Sequence, residues 1–389
     1  HRTKEAERKR LMLRRLRLRA GRSGRRFHRV THIAAVGSAL PEHRYPQGEI
    51  TELFADVVLT DPARRGLLER LHAATTVRTR HLALPLPAYA SIDSFGTANS
   101  HWVDIAVPLG ARAVEAALDE AGLTPDDVDI VVSTTVTGLA VPSLDARLVP
   151  ALGLRHDVRR VPLFGLGCLA GAAGISRVHD LLRGDPDGVA VLVSVELCSL
   201  TLQRNDESMA NLVGSGLFGD GAAAVVLVGD RRAARMGMTA DGDDPRPEVV
   251  ATRSAFYPDS ERVMGWDIDH RGFSLVLDAS VPDMVERYLR DGVERFLGEY
   301  DLHTKDVEHW IAHPGGPKVL EAMARTLDVD PDAFGLTWES LADVGNLSSS
   351  SVLRVLGETM EHRPMGTGVP AMMTAMGPGF CSELVLLRW

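Results

Sequence analysis

The feature that most restricts the fold is a succession of elements that occurs twice. In the first half WVDIAVPLGARAVEAALDEAGL reads as a long amphipathic helix stopping at Gly122, followed by a polar turn and the buried strand DIVVSTTVTG. In the second half SVPDMVERYLRDGVERFLGEYDL reads as the helix and VEHWIAHPGG as a strand leaving through glycines. The helices carry apolar residues three and four apart, whereas the strands are short runs of branched apolar residues. The period is far too long for a solenoid and fits a loose internal duplication. Alternating strands and helices imply an α/β fold with a largely parallel sheet core in each half. Reactive groups are then expected at the carboxyl ends of the strands, where the connecting turns gather.

The other segments fit this frame. RVTHIAAVGSALP, VRRVPLFGLG and VAVLVSVELCSL read as strands in the first half, and SGLFGDGAAAVVLVG as a Gly-rich turn and strand. CLAGAAGISRVHDLLRG reads as a helix with small residues on its first turns, and SSSSVLRVLGETME as a helix late in the chain. GVPAMMTAMGPGF and CSELVLLRW read as the final strands. The Gly/Pro/Asp-rich MGMTADGDDPRPE reads as an exposed connection. The halves are drawn as residues 29–235 and 236–389.

Charge sets the beginning apart. Residues 1–28 form an Arg-rich arm, residues 1–30 carry a net +11, and the remainder carries −20. The arm is expected to be a solvated, flexible tail, with nucleic acid, anionic lipid or an acidic acyl carrier protein as the partners such a charge would suit. Nucleic-acid binding is not expected of the acidic globule. Three cysteines in 389 residues exclude a disulfide framework and a zinc module. With no run of eighteen uncharged apolar residues, no membrane span is expected, and a reducing cytoplasmic setting is the default.

Cys168 lies where a strand ends in glycines and a helix of small residues begins. A thiol there meets the positive end of the helix and nearby N–H groups, which favour thiolate. Cys198 and Cys381, inside apolar strand patterns, read as packing residues. The same turn, Gly165-Leu-Gly167-Cys-Leu-Ala170, also fits a dinucleotide fingerprint, with Glu196 ending the next strand where a ribose-binding acid would sit. That alternative would make the chain a nicotinamide-dependent oxidoreductase. His313 ends a strand, and Gly315 and Gly316 after it suggest close backbone approach to a ligand. Asn346, one of four Asn in the chain, sits at a Gly-Asn turn before a Ser run, where an ordinary helix cap is the plain alternative. A thiol, an imidazole and an amide at three such turns are the inventory for covalent acyl chemistry. A Cys/His/Asn protease could draw on the same groups, although the duplicated α/β halves do not suit one.

GLGCLAGAAG, SGLFGDGAAAVVLVG, WIAHPGGPKVLEA, GNLSSSSVL and AMGPGFCSELVLLRW, in this order over residues 30–389, resemble the type III polyketide synthases, chalcone-synthase-like enzymes of the thiolase superfamily. TTVTGLAVPSLDARL is similar to bacterial members, and the chain looks closest to the alkyl α-pyrone synthases of the germicidin synthase type. The resemblance implies a thiolase fold, αβαβα in layers, assembled as a homodimer. It implies Cys168 as nucleophile with His313 and Asn346 as its partners. It also implies acyl-CoA and malonyl-type CoA thioesters as substrates, with no permanently bound cofactor and no metal. An initiating ketoacyl carrier-protein synthase III-like enzyme, which stops after one extension, is the nearest alternative. Phe218 matches the family's gatekeeper, and Ser348 falls among its cavity residues. Leu275 and Met376 replace aromatic residues of plant members, which should open the cavity for a flexible alkyl chain. Arg70, Lys318, Gly315 and Gly316 are the positions the resemblance implies for CoA.

Overall fold

The computed structural model describes residues 30–362 and 368–389. The basic arm at residues 1–28 lies outside the described residues.

The strands in chain order are β1 (Thr31–Ala39), β2 (His43–Pro46), β3 (Thr79–Leu82), β4 (Ile130–Thr135), β5 (Arg159–Phe164), β6 (Val189–Leu197) and β7 (Asp220–Gly229). They continue with β8 (Glu248–Phe256), β9 (Met264–Asp269), β10 (Gly272–Leu277), β11 (His309–Ala312), β12 (Pro370–Gly377) and β13 (Cys381–Arg388). Nine of them form one sheet, in the order β11-β12-β13-β8-β1-β7-β6-β4-β5, while β9 and β10 pair as a separate ribbon. In the first half β4 lies parallel to β5 and β6, and β6, β7 and β1 then pair antiparallel. In the second half β11 and β12 are parallel, and β12, β13 and β8 then pair antiparallel. The two stretches meet where Thr31 pairs with Val249 and His32 with Glu248.

The sheet is therefore mixed, not largely parallel. One cause is local: Pro378–Phe380 is too short a link for a parallel crossover, so β12 and β13 must run antiparallel. Further differences concern β8, β9 and β10, which the apolar pattern does not announce, and the stretch before Phe218. There Met209–Leu217 is a helix, begun by the Ser208 hydroxyl accepting the Asn211 N–H at 3.3 Å, where a Gly-rich turn is expected. The long first helix also begins earlier than its apolar spacing indicates, at Phe95, because the Ser94 side chain accepts the Thr97 N–H.

Side-chain alternation builds five layers. On β7, Ala222, Ala224, Val226 and Val228 face outward onto Trp102, Leu109 and Val114 of the helix Phe95–Ala121. Ala223, Val225 and Leu227 face inward onto Ala172, Ile175 and Val178 of the helix Ala170–Leu182 and Val352, Val355 and Leu356 of the helix Ser349–His362. Beyond the second half of the sheet, Met372, Leu384 and Leu386 meet Val285, Leu289 and Phe296 of the helix Val281–Gly298. This is an αβαβα arrangement with two helices in the middle layer. Those two central helices nearly touch. A Cβ on Gly171 would stand 2.3 Å from the Ser349 carbonyl oxygen, so the contact requires glycine. The first turns of both helices reach the same place, and there the candidate site forms. No helix among the described residues is long and apolar enough to cross a membrane.

Candidate active site

Cys168 lies in a short 3-10 turn, Gly167–Leu169, that leads from β5 into the helix Ala170–Leu182. Gly167 has φ +53° and packs so tightly that a Cβ would stand 2.6 Å from the Pro378 ring. His313 directly follows β11, and its N–H donates to the Thr374 carbonyl at 2.9 Å. Asn346 precedes the other central helix. Its N–H donates to the Leu217 carbonyl at 2.9 Å and its carbonyl accepts the Gly219 N–H at 3.0 Å, so its backbone is laced to that of Phe218. Its Oδ1 accepts the Ser348 N–H at 2.8 Å, which leaves the Nδ2 amide as the donor for a ligand. Ser348 adopts φ +51° and brings its hydroxyl to 3.7 Å from the Cys168 Sγ.

Cys168, His313, Asn346, Ser348, Phe218, Leu275, Met376 and Gly315 line one cavity of about 720 Å³. Gly316 (φ +123°) is buried at the start of the helix Pro317–Leu327 but does not line it. Lys318 and Arg70 are exposed and outside its lining as well. Met264, Leu277, Val281, Val285, Val319 and Met323 are among the remaining lining residues, and the wall is largely apolar.

That wall governs the electrostatics. Burial pushes the Cys168 thiol up to about 12, partly opposed by the Ser348 hydroxyl and reinforced by the Glu196 carboxylate. Burial of Cys168 in its 3-10 turn opposes the thiolate expected at a helix end. Burial alone takes His313 down to about 3. Neither ring nitrogen of His313 has a hydrogen-bond partner among the described residues, and the residue is 6% exposed, so both are available to a ligand.

Glu196 is wholly buried. Its carboxylate accepts the Val136 N–H at 3.0 Å, the Thr137 hydroxyl at 2.9 Å and the Ser349 hydroxyl. It ties the two central segments together and is inaccessible to a ribose. With Gly167 pressed on Pro378, the glycine turn has no room for a pyrophosphate, and the dinucleotide reading falls.

Trp266 is a cavity residue that the sequence reading misses. It pairs directly across the ribbon from Leu275, and its ring lies 6.4 Å from that of Phe218. The space expected to open at Leu275 is thus closed by an aromatic on the neighbouring strand. The one signal for it was a tryptophan, among five in the chain, beside Gly265.

Comparison with known proteins agrees with this geometry. Residues 19–231 match the family described as chalcone and stilbene synthases, N-terminal domain, and residues 248–389 its C-terminal domain. The first match begins inside the stretch set apart as the basic arm. A 1,3,6,8-tetrahydroxynaphthalene synthase of Streptomyces peucetius subsp. caesius is 52% identical over 93% of this chain and 94% of its own length. A phloroglucinol synthase of Pseudomonas fluorescens is 30% identical over 90% of this chain and 98% of its own. The crystal structure of the Streptomyces coelicolor A3(2) tetrahydroxynaphthalene synthase, a bacterial type III polyketide synthase, superposes with a TM-score of 0.84 at 30% identity, covering 92% of this chain and 99% of that one. The chain belongs to the chalcone and stilbene synthase family, the type III polyketide synthases, and is a condensing acyltransferase of the bacterial kind.

Proposed function

We propose that the chain loads an acyl group from a CoA thioester onto Cys168 and extends it with malonyl-type CoA units by decarboxylative Claisen condensation. The observation that carries this reading is the convergence of Cys168, His313 and Asn346 on one apolar cavity. As Cys168 Sγ attacks the thioester carbon, its proton passes to His313, the one imidazole lining the cavity among the described residues; the acyl–CoA bond breaks, and CoA leaves as its thiolate and is protonated by solvent. The malonyl unit then loses carbon dioxide, and its electron pair becomes an enolate. Protonated His313 and the Asn346 Nδ2 group donate to the enolate oxygen, which removes the need for a metal. The enolate carbon attacks the acyl carbon on Cys168, and the thiolate leaves.

The 52% identical relative makes an extended, polyhydroxylated product by name, so the first reading is a poly-β-keto chain cyclised to a tetrahydroxynaphthalene-type aromatic. The second is an alkyl 4-hydroxy-2-pyrone, favoured by the apolar wall of Met264, Leu277, Val281 and Val285. Cys168→Ala is expected to abolish product, and product formation by that variant would sink the proposal. Mass spectrometry of products from malonyl-CoA alone, and then with a panel of alkyl acyl-CoAs, separates the readings. A product from malonyl-CoA alone favours the aromatic, whereas one that requires an alkyl starter favours the pyrone. A single β-ketoacyl product would instead mark an initiating condensing enzyme.

Arg70 and Lys318 fit this reading as cations for the CoA phosphates. The assembly we propose is a homodimer, supported by the open edge of β5, and the place of action is the cytoplasm. An acyl carrier protein as donor would engage the basic arm.

A further inference from the structure

Behind Phe218 lies a second, smaller cavity. Phe218, Trp266 and Leu275 line both cavities and form the partition between them. The second chamber differs in chemistry, because Arg80 forms part of its wall.

Arg80 is 1% exposed. Its Nε donates to Gln47 Oε1 at 2.9 Å and its Nη1 to the Phe218 carbonyl at 2.7 Å, while its Nη2 is buried with no partner among the described residues. The ring of Phe54 covers it, 5.6 Å from the guanidinium carbon. The acid that most raises its proton affinity, Asp220, is already engaged by the Ala83 N–H at 2.6 Å and the Ser199 N–H at 2.8 Å. Burial brings Arg80 down only to about 10, so it is a cation at neutral pH. Several other donors around the chamber are already engaged, the Ser199 hydroxyl on the Asp220 carboxylate and others on the backbone. Thr201 donates to the Cys198 carbonyl, Ser215 to the Leu212 carbonyl, and the Asn211 amide to the Gln203 and Asp206 carbonyls. A buried cation with a spare N–H is unfavourable until an acceptor meets it. A saturated alkyl chain has no acceptor to offer. A chain with a ketone or enolate oxygen on every second carbon has several.

We infer that Arg80 is a binding residue for the oxygen-bearing part of the growing chain, and that its chamber selects a β-keto chain over an alkyl chain of equal length. This rests on the condensing role proposed for Cys168. Acetoacetyl-CoA and butyryl-CoA test it, since these four-carbon starters differ only in one ketone oxygen. Extension of each by malonyl-CoA is measured as kcat/KM, with loading of Cys168 followed by intact mass. The wild-type chain is expected to prefer acetoacetyl-CoA, and Arg80→Met to reduce that preference by about tenfold or more, as for loss of a hydrogen bond to a charged group. Loading by butyryl-CoA should persist in the variant. No wild-type preference for the keto starter, or an unchanged preference in a folded Arg80→Met, overturns the inference. Should Arg80→Met not fold, Cys198→Leu narrows the same chamber and leaves the Arg80 contacts in place. It is expected to erode the preference, and an unchanged preference again overturns the inference. A wild-type chain in which acetoacetyl-CoA, butyryl-CoA and malonyl-CoA all fail to acylate Cys168 would defeat the condensing role itself, a result distinct from any change in preference.

Discussion

At the scale of single residues, the site pairs a thiol that burial makes a weak acid with an imidazole that burial makes a weak base. Burial thus disfavours the charged form of each, which suits formation of the nucleophile by proton transfer within the cavity. His313→Ala removes that acceptor. A thiol held near 12 is protonated throughout the neutral range, and its thiolate fraction rises tenfold with each unit of pH. Alkylation of Cys168 by iodoacetamide at pH 7 is thus expected to slow by about tenfold or more in the variant, and to recover steadily as pH rises. A variant alkylated as fast as wild type would show that His313 plays no part in activation. Cys168, His313 and Asn346 were legible in the sequence because each sits at a turn whose glycines have no ordinary structural excuse. Arg80 was not. It lies in the short strand β3, and nothing in RTRHL distinguishes a cation that ends in a cavity from one in solvent.

At the scale of elements, β1, β4, β6 and β7 of the first half were legible because they are largely buried on both faces and read as apolar runs; β6 and β7 are buried at every position. The ribbon β9–β10 is half-buried and exposed in patches, since it covers the cavity and not the core, so no period announces it. Its Trp266 sets the partition with Phe218. Trp266→Ala should merge the two chambers and shift products toward longer chains or bulkier starters, read by mass spectrometry of the product mixture. An unchanged mixture would mean that Phe218 alone divides them. The central helices make a second prediction. Gly171→Val pushes a branched side chain against the Ser349 carbonyl and Val352, displacing the helix that carries Ser348. Overpacking of this kind destabilises by roughly 1–3 kcal/mol. The expected outcome is a lower denaturation midpoint together with slower loading of Cys168. A variant with wild-type loading and midpoint would mean that the helices separate freely.

At the scale of the whole molecule, the sheet has two ends that are treated differently. The β11 end is covered: Trp310 lies 6.2 Å, ring to ring, from Phe334, and the Thr337 hydroxyl donates to the Ala312 carbonyl. The β5 end carries Phe164, 48% exposed, and none of its residues is buried. Charges on an edge strand ordinarily repel a second strand, yet those of β5 are paired, Arg159 with Asp185 at 2.6 Å and Arg160 with Asp145 at 3.0 Å. The loop after β4 shows Leu139 and, almost wholly, Val141 to solvent. That loop is firmly held, because the Asn99 carboxamide donates to the Leu139 carbonyl and accepts the Leu139 N–H, both at 2.8 Å. Apolar side chains on a fixed loop beside an unguarded edge call for a partner surface. A second copy of the chain supplies the same edge and the same loop, as a two-fold interface requires. The chain is accordingly expected to run as a dimer in size-exclusion chromatography with light scattering. Val141→Glu combined with Phe164→Glu should shift it to monomer, since each copy would place carboxylates against their equivalents. A wild-type chain that stays monomeric at micromolar concentration would defeat the prediction, and a double variant that remains dimeric would move the interface to another face.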